Sequence, residues 1–195
     1  MKRSSVLVFC LFLIAAAIVS GTLAAGLNPI TDQLGGITQT IESPPGSLAP
    51  GSVLDYFIRV TNQRPDPCYF RTVVGIECAG SADADILVPS WNEDDYTVIS
   101  HGVVTLYGEH PGTYRVYSAT YKRPLSGQSR ADSSLQSITV SSQLTREEFQ
   151  SIGKDISLLA FSQALWQETD EELLNTDTLA LLGDAAEAFR NQFGQ

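Results

Sequence analysis

The sequence predicts a mainly β protein, an antiparallel β-sandwich that is followed by a C-terminal α-helical hairpin. Three observations lead to this fold class. Apolar and polar residues alternate between Val53 and Val140, which is typical of half-buried strands. Turn residues separate these runs at short intervals, as they do in sandwich proteins. After Thr145 the apolar residues recur at helical spacing instead.

The composition is that of a folded and acidic protein. Hydrophobic residues make up 43% of the chain, charged residues make up 17%, and the formal net charge is -10. A core of useful size can therefore be buried. The negative charge and the lack of a basic stripe argue against nucleic-acid binding, because a phosphate backbone would be repelled. No motif in the sequence indicates a cofactor.

Residues 1–25 have the layout of a secretory signal peptide. Its parts, in order, are the positive pair Lys2 and Arg3, the apolar run Val6–Val19 and the small residues Ala24 and Ala25. We therefore expect an extracytoplasmic protein that is secreted or held at the cell surface.

Two alternatives remain open for this segment. From Val6 to Leu27 it is long enough to span a bilayer as an uncleaved anchor, which would be the chain's one contact with a membrane. Cleavage after the basic residues would instead leave an apolar helix on the mature chain. Over this segment the chain resembles the subunits of pilus-like filaments, although Arg3 stands where such subunits carry a small residue.

The rest of the chain divides into three parts. Residues 26–50 are rich in Pro and Gly and are predicted to be a linker with one first strand, Ile37–Glu42. Residues 51–143 hold about seven short strands of the sandwich. Residues 144–195 form the helical hairpin, in which Thr145–Glu148 has the Thr-x-x-Glu pattern of a capping box.

Both predicted helices are amphipathic. The first would run to about Glu168 and the second would begin near Asp177. Their main apolar stripes are Phe149, Ile152, Ile156, Leu159 and Trp166, and Leu179, Leu182, Ala186, Phe189 and Phe193. These stripes pack either on each other and the sandwich or on another subunit, so an oligomer through the C-terminal helices is one expectation.

Three stretches between Pro50 and Val140 resemble the immunoglobulin-like modules of prokaryotic surface proteins. They are Pro50-Gly51 with Leu54–Asn62, Pro111–Val116, and Leu135–Val140. The resemblance implies an adhesive, spacer or assembly role and places Tyr114 at a tyrosine corner. The inter-sheet cysteine pair of antibody-type domains is absent, and Trp91 does not occupy their core position.

Cys68 and Cys78 are a candidate disulfide, because paired cysteines are usual outside the cytoplasm. The pairing requires a turn between them, for which Gly75 is the candidate. If residues 69–77 are one strand, the two Cα atoms lie about 33 Å apart, whereas a disulfide needs about 5.5 Å. The thiols would then be free or paired between chains.

Several acidic residues are candidates for a calcium site, since calcium prefers oxygen ligands from loops. These candidates are Asp83, Asp85, Asp94 and Asp95. Their spacing does not follow a calcium-hand loop, and a solvated acidic loop is the preferred interpretation. His101 and His110 are the histidines on which a hydrolase would depend, but no nucleophile motif accompanies them.

Tyrosines in the late strands suggest an interaction patch. Strand parity places Tyr117, Tyr121 and Arg115 on one face and Tyr114 on the other. If Tyr114 is inward, the first three form an outward patch of the kind found in protein interfaces. Trp166 and Phe189 are further interaction candidates on the helices.

Together these observations predict an exported, non-enzymatic interaction or structural module that binds a protein or another envelope component. A subunit of a pilus-like or envelope assembly and a secreted hydrolase are the alternatives.

Overall fold

The structure is a computed structural model, and it describes residues 28–31, 36–42, 49–78, 86–145, 157–166 and 182–194. These residues form ten strands and one helix. The strands are β1 Asn28–Thr31, β2 Ile37–Glu42, β3 Val53–Asp55, β4 Phe57–Asn62, β5 Cys68–Glu77, β6 Leu87–Trp91, β7 Tyr96–Leu106, β8 Gly112–Tyr121, β9 Leu135–Val140 and β10 Leu158–Trp166. The helix, α1, is Ala185–Phe193. The protein is therefore mainly β, as predicted.

The strands form three antiparallel sheets. The β2 sheet has the order β1-β2-β4, the β9 sheet has the order β3-β9-β6, and the four-stranded sheet has the order β10-β5-β8-β7. β3 and β4 lie in different sheets but are separated by Tyr56 alone, so one stretch of chain connects the β9 sheet to the β2 sheet. The alternation predicted there is confirmed, because Leu54, Tyr56, Ile58 and Val60 are all buried.

One face of the four-stranded sheet packs against the other two sheets. A first cluster joins Val74 and Ile76 of β5 to Leu54 of β3 and Ile138 of β9. A second cluster centres on Phe70, whose ring lies 5.2 Å from that of Tyr121 and 6.1 Å from that of Tyr96. Residues at alternate positions of β5 and β8 supply these side chains, which is why the period of two was visible in the sequence.

The opposite face of the four-stranded sheet is covered by α1. Phe189 and Phe193 pack there on Val73 and on Phe161. Gly75 makes this approach possible, because a Cβ at that position would lie 2.1 Å from the ring of Phe189. Gly75 is therefore a packing site in the middle of β5, and the turn predicted there does not exist.

The predicted helical hairpin is wrong at Leu158–Trp166. This stretch is strand β10, which pairs with β5 along its whole length from Leu158 opposite Ile76 to Trp166 opposite Cys68. Both faces of β10 are buried, so it is apolar almost throughout, and such a run fits a helical stripe as well as a strand. A C-terminal helical hairpin is not found; the described residues contain α1 alone.

The second predicted helix is confirmed in part. Ala186, Phe189 and Phe193 lie on α1, which begins after Asp184 rather than near Asp177. The Asp184 carboxylate caps the helix by accepting a hydrogen bond from the Glu187 amide at 2.8 Å. Phe149, Ile152, Ile156 and Leu179 lie outside the described residues, as does most of the predicted capping box.

The predicted signal peptide also lies outside the described residues and stays a prediction. Within the part of the chain that the structure describes, no helix has the length and apolar character needed to cross a bilayer.

Candidate interaction surface

The longest of the described strands, β7, lies at an edge of the four-stranded sheet. It has 11 residues and spans about 36 Å at ~3.3 Å per residue. Thr, Val, Ile and Tyr dominate its sequence, and these residue types favour strands. One side pairs with β8 from Tyr96 to Leu106, and among the described residues no strand pairs with the other side.

Side chains along this edge are exposed although many of them are apolar. Ile99 is 39% exposed, Val103 is 45% exposed, and Tyr107 just beyond the strand is 77% exposed. The strand contains no Lys, Arg, Asp or Glu. Natural edge strands are usually protected from pairing by charges, prolines, shortness or β-bulges, and of these β7 has only a bulge.

A β-bulge interrupts β7 between Ser100 and Val103. Gly102 adopts φ 77° there, a left-handed conformation that a side chain would disfavour. The bulge also shifts the alternation of side chains, so that odd-numbered residues face α1 before it and even-numbered residues face α1 after it. His101 lies on the α1 side before it and Val104 on the same side after it. β7 thus continues through the bulge as one strand.

The other edge of the same sheet, β10, is covered. Leu158 to Phe161 are all buried. Gln39 of β2 donates a hydrogen bond to the Ala160 carbonyl at 3.0 Å and accepts one from the Ser162 hydroxyl. At the end of β10 the Arg64 guanidinium lies 4.2 Å from the ring centre of Trp166. β10 is as free of charge as β7, but it is buried by its neighbours.

The charged residues near β7 lie at its two ends. Before the strand, the Asp95 carboxylate pairs with the Arg123 guanidinium at 2.9 Å and accepts a hydrogen bond from the Asn92 amide at 3.2 Å. The Lys122 ammonium donates to the Glu93 carbonyl at 2.6 Å. The strand between these ends is neutral.

The ion pair between Asp95 and Arg123 involves one of the predicted calcium ligands. Asp95 is engaged with Arg123, Asp94 is exposed in the same turn, and Asp83 and Asp85 lie outside the described residues. Within the described ranges, no group of three His, Cys, Asp or Glu side chains is close enough to hold a metal ion.

A buried polar cluster lies between the four-stranded sheet and the start of α1. The Arg71 guanidinium donates to the carbonyls of Leu182 and Gly183 at 2.7 and 2.8 Å and to the Gln163 side chain at 2.9 Å. Arg71 is 2% exposed and ties the chain that enters α1 to the sheet. The sequence analysis did not identify this arginine, because an isolated Arg in a strand is normally a surface residue.

His101 belongs to the same cluster. Its Nε2 lies 2.8 Å from the Ser118 hydroxyl, and Ser118 is 1% exposed. Burial lowers the pKa of His101, the Asp184 carboxylate raises it, and the Arg71 guanidinium lowers it further. Burial likewise lowers the pKa of Arg71, against the opposing effect of Asp184. His101 thus contacts Ser118 and lies within electrostatic range of Asp184, and the Ser118 side chain is buried.

The predicted tyrosine patch is corrected. Tyr121 is buried, and Tyr117 is half-buried with its ring 5.3 Å from that of Trp91. Arg115 is half-buried on the same face. Tyr114 is also buried, because α1 covers its face while the other sheets cover the opposite one. Both faces of β8 are thus internal, which parity alone does not reveal.

Other predicted residues have mainly internal roles. Tyr114 donates a long, 3.5 Å hydrogen bond to the His110 carbonyl four residues upstream, as predicted. Phe189 is completely buried and packs on the protein's own sheet instead of meeting a partner. Trp166 is half-buried under Arg64. His110 is buried 5.9 Å from the Phe193 ring, so it is a core residue.

The predicted disulfide is wrong as an intrachain bond. Cys68 and Cys78 are free cysteines, and they stand at opposite ends of the straight run of β5. Burial raises the pKa of the Cys68 thiol to about 11, an effect that Arg64 opposes. Burial also raises the pKa of Cys78. Neither thiol is therefore activated for redox chemistry.

The exposed edge of β7 was missed by the sequence analysis, although a signal for it was present. The absence of charge over residues 96–106 is unusual in a chain of net charge -10. A neutral run indicates either a buried strand or an unprotected edge, and only the sheet order distinguishes them.

Three comparisons were made with known proteins. The chain matches no protein-family model, no curated protein and no solved structure.

Proposed function

We propose that this chain is an exported, non-enzymatic interaction module with an immunoglobulin-like β-sandwich fold, and that it binds an extended strand of another polypeptide along β7. The observation that carries the proposal is the long, neutral and exposed edge of that strand. Addition of a strand to a sheet edge is a common mode of protein recognition, in which backbone hydrogen bonds supply the affinity.

Three features support an interaction role. The secretory layout of residues 1–25 would place the module outside the cytoplasm. The three stretches that resemble immunoglobulin-like modules fit the antiparallel sheets, and such modules usually serve adhesion or assembly. Exposed apolar side chains at Ile99, Val103 and Tyr107 flank the unpaired backbone and would gain from burial.

The test replaces Val103 with a photoreactive amino acid in cells that export the chain. The control places the same amino acid at Val53, which is 59% exposed on the short strand β3. We expect a covalent adduct from position 103 and little from position 53. Mass spectrometry should locate the partner's cross-linked residue in an extended segment.

A charge at the edge gives the matched negative test. I99K in the position-103 variant should abolish the adduct, because a lysine on an edge strand disfavours the addition of a further strand. Adducts of equal yield from positions 53 and 103, or an adduct that survives I99K, would contradict docking on β7. N-terminal sequencing of the same sample tests export, which predicts a start near Ala25.

A secreted hydrolase is the second candidate, and the 2.8 Å contact between His101 and Ser118 is the observation that favours it. The 1% exposure of Ser118 opposes it. A panel of ester and peptide substrates decides between the two. Hydrolysis that is lost in both S118A and H101A would favour the enzyme, and the interaction module predicts no hydrolysis.

A further inference from the structure

We infer that Arg71, His101 and Asp184 form an acid-sensitive switch, which holds the start of α1 on the four-stranded sheet while His101 is neutral and loosens it when His101 takes up a proton. The inference goes beyond the proposed function, because it concerns the covered face of the sheet and holds whatever binds along β7. It rests on where the three side chains lie and on which of their charges can change.

Arg71 supplies a permanent positive charge inside this contact. Its guanidinium donates to the carbonyls of Leu182 and Gly183 at 2.7 and 2.8 Å, and the residue is 2% exposed. Among the described residues, no carboxylate forms an ion pair with it. An arginine keeps its proton at any pH at which the chain is folded. A second positive charge close to this buried one is therefore unfavourable.

His101 lies near this charge, on the same face of the sheet. Its Nε2 is 2.8 Å from the Ser118 hydroxyl of β8, and Ser118 is paired with Val73 of β5. Arg71 precedes Val73 by two residues, so it lies on the same face of β5. β5 and β7 flank β8, and with about 4.8 Å between neighbouring strands their backbones are about 10 Å apart. The two side chains therefore stand on either side of β8, on the face that α1 covers.

The surroundings of His101 favour its neutral form. Burial lowers the pKa of His101, the Asp184 carboxylate raises it, and the Arg71 guanidinium lowers it further. Asp184 is exposed, so water screens its effect, whereas Arg71 is buried. The hydrogen bond from the Glu187 amide lowers the pKa of Asp184, which therefore stays ionised while His101 titrates. The other groups nearby are Ser118 on β8 and Gln163 on β10, which do not titrate, and Arg190 on α1.

Acid therefore opposes the docked state of α1. The ordinary pKa of a histidine is 6.5, and that of His101 is lower in the folded chain. A histidine released from the contact takes up its proton first, so the stability that docking gains from neutral His101 is present above pH 6.5 and is lost as the pH falls below that value. Loosening of α1 exposes the apolar residues beneath it, among them Val73, Leu159 and Phe161.

Hydrogen–deuterium exchange of the exported, full-length chain at about pH 7.5 and about pH 5, followed by mass spectrometry, tests the inference. After correction for the intrinsic rate of each amide, residues 185–193 should exchange about threefold faster or more at the lower pH. Peptides from β5 and β8 should be unchanged, because only the docking of α1 is weakened. The comparison within one sample separates loosening of α1 from unfolding of the whole domain.

Replacing each histidine identifies the group that titrates. H101Q keeps an amide that can bond to Ser118 but carries no charge at either pH, so it should abolish the pH effect on α1. H110Q is the matched control, because His110 lies beside Phe193 at the other end of α1. The pH effect should persist in H110Q, even if its baseline exchange differs. H101K carries its charge at both pH values and should give fast exchange of α1 at the higher pH as well, and circular dichroism shows whether each variant is folded.

The inference fails if exchange of α1 does not depend on pH, if the dependence survives H101Q, or if H110Q removes it instead. Equal acceleration in α1, β5 and β8 would also contradict it, because the whole domain would then be losing stability. None of these results bears on the docking of a partner strand along β7, which cross-linking from position 103 tests separately.

Discussion

The two edges of the four-stranded sheet have similar sequences and opposite surroundings. β10 and β7 both lack charged residues and are rich in apolar ones. β10 is buried beneath α1 and against the β2 sheet, and Gln39 bonds to its backbone. β7 is covered on only part of each face, by the other sheets at Tyr96 and by α1 at Val104, and it is unpaired along its outer side within the described structure. The difference shows that a neutral, apolar edge strand can be buried by the chain itself, as β10 is. The outer edge of β7 is not buried in this way and stays available to a partner.

The largest effect should come from truncating an aromatic side chain on the covered edge. Phe161 is buried against α1, with its ring 5.8 Å from that of Phe193. Phe161→Ala should lower the free energy of unfolding by about 3–5 kcal/mol in a denaturant titration, because it leaves a cavity. Ile99→Ala on the open edge is the matched control and should cost less than about 1 kcal/mol. Equal losses would mean that the two edges are equally buried.

A smaller effect should come from the amide that connects β2 to β10. Gln39→Leu removes the donor to the Ala160 carbonyl and the acceptor of the Ser162 hydroxyl. Since these groups would stay buried without partners, we expect a loss of about 1–3 kcal/mol in stability.

Gln63→Leu provides the comparison for that variant. Gln63 also bonds to a side chain of β2, the Thr38 hydroxyl at 2.9 Å, but it does so on the surface. Its loss should change stability by no more than about 0.5 kcal/mol, since water replaces the partner. If Gln39→Leu were as mild, the covering of β10 would not depend on this bond.

An effect that depends on pH concerns Cys68, which lies opposite Trp166 of β10. Its pKa is about 11 in the folded chain, against an ordinary value of 9.0. The unfolded thiol therefore loses its proton first, and the stability that Cys68 contributes is present below pH 9 and declines as the pH rises to about 11. The stability difference between the natural chain and Cys68→Ala should narrow over this range, as measured by urea unfolding.

Reagent access provides a second test of that site. A maleimide at pH 7 should leave Cys68 unmodified in the folded chain, because the thiol is buried and protonated. V103C on the open edge should be modified rapidly under the same conditions. Rapid modification of Cys68 would show that the β10 side of the sheet is open to solvent.

The sequence predicted much of the fold, where one face of a strand is polar. The alternation from Leu54 to Val60, the last sandwich strand Leu135–Val140 and the strand Ile37–Glu42 are confirmed, although Asn28–Thr31 precedes the last of these as an unpredicted first strand. In these segments burial differs between the two faces, so a period of two appears in the residues themselves.

The prediction was wrong where both faces are buried. β10 was assigned to a helix because its apolar residues occupy nearly every position. For β5 the sequence left open a turn near Gly75, as the condition for a disulfide, where the glycine instead admits Phe189. α1 covers the four-stranded sheet through contacts between residues that are far apart in the sequence, and a local sequence pattern does not predict such contacts. The two other sheets, which pack on the opposite face, bury the expected outward patch of Tyr117 and Tyr121.

The sequence predicted the kind of site, an interaction surface, but not its location. An interaction module was expected, but its surface was sought in tyrosines and helices, and the structure presents β7 instead. The charge-free run from Tyr96 to Leu106 was legible in the sequence. Its exposure depends on the strand order of the sheet, which brings β10 and not β7 against the β2 sheet.

Hydrogen–deuterium exchange on the dilute, monomeric chain tests the contrast between the edges most directly. Amides of β10 should be protected by their bonds to β5 and by burial, whereas the half of the β7 amides that point away from β8 should exchange within seconds. Fast exchange confined to β7 is the predicted result. Equal protection of the two strands in the monomer would mean that β7 is already covered, and the proposed docking edge would not exist.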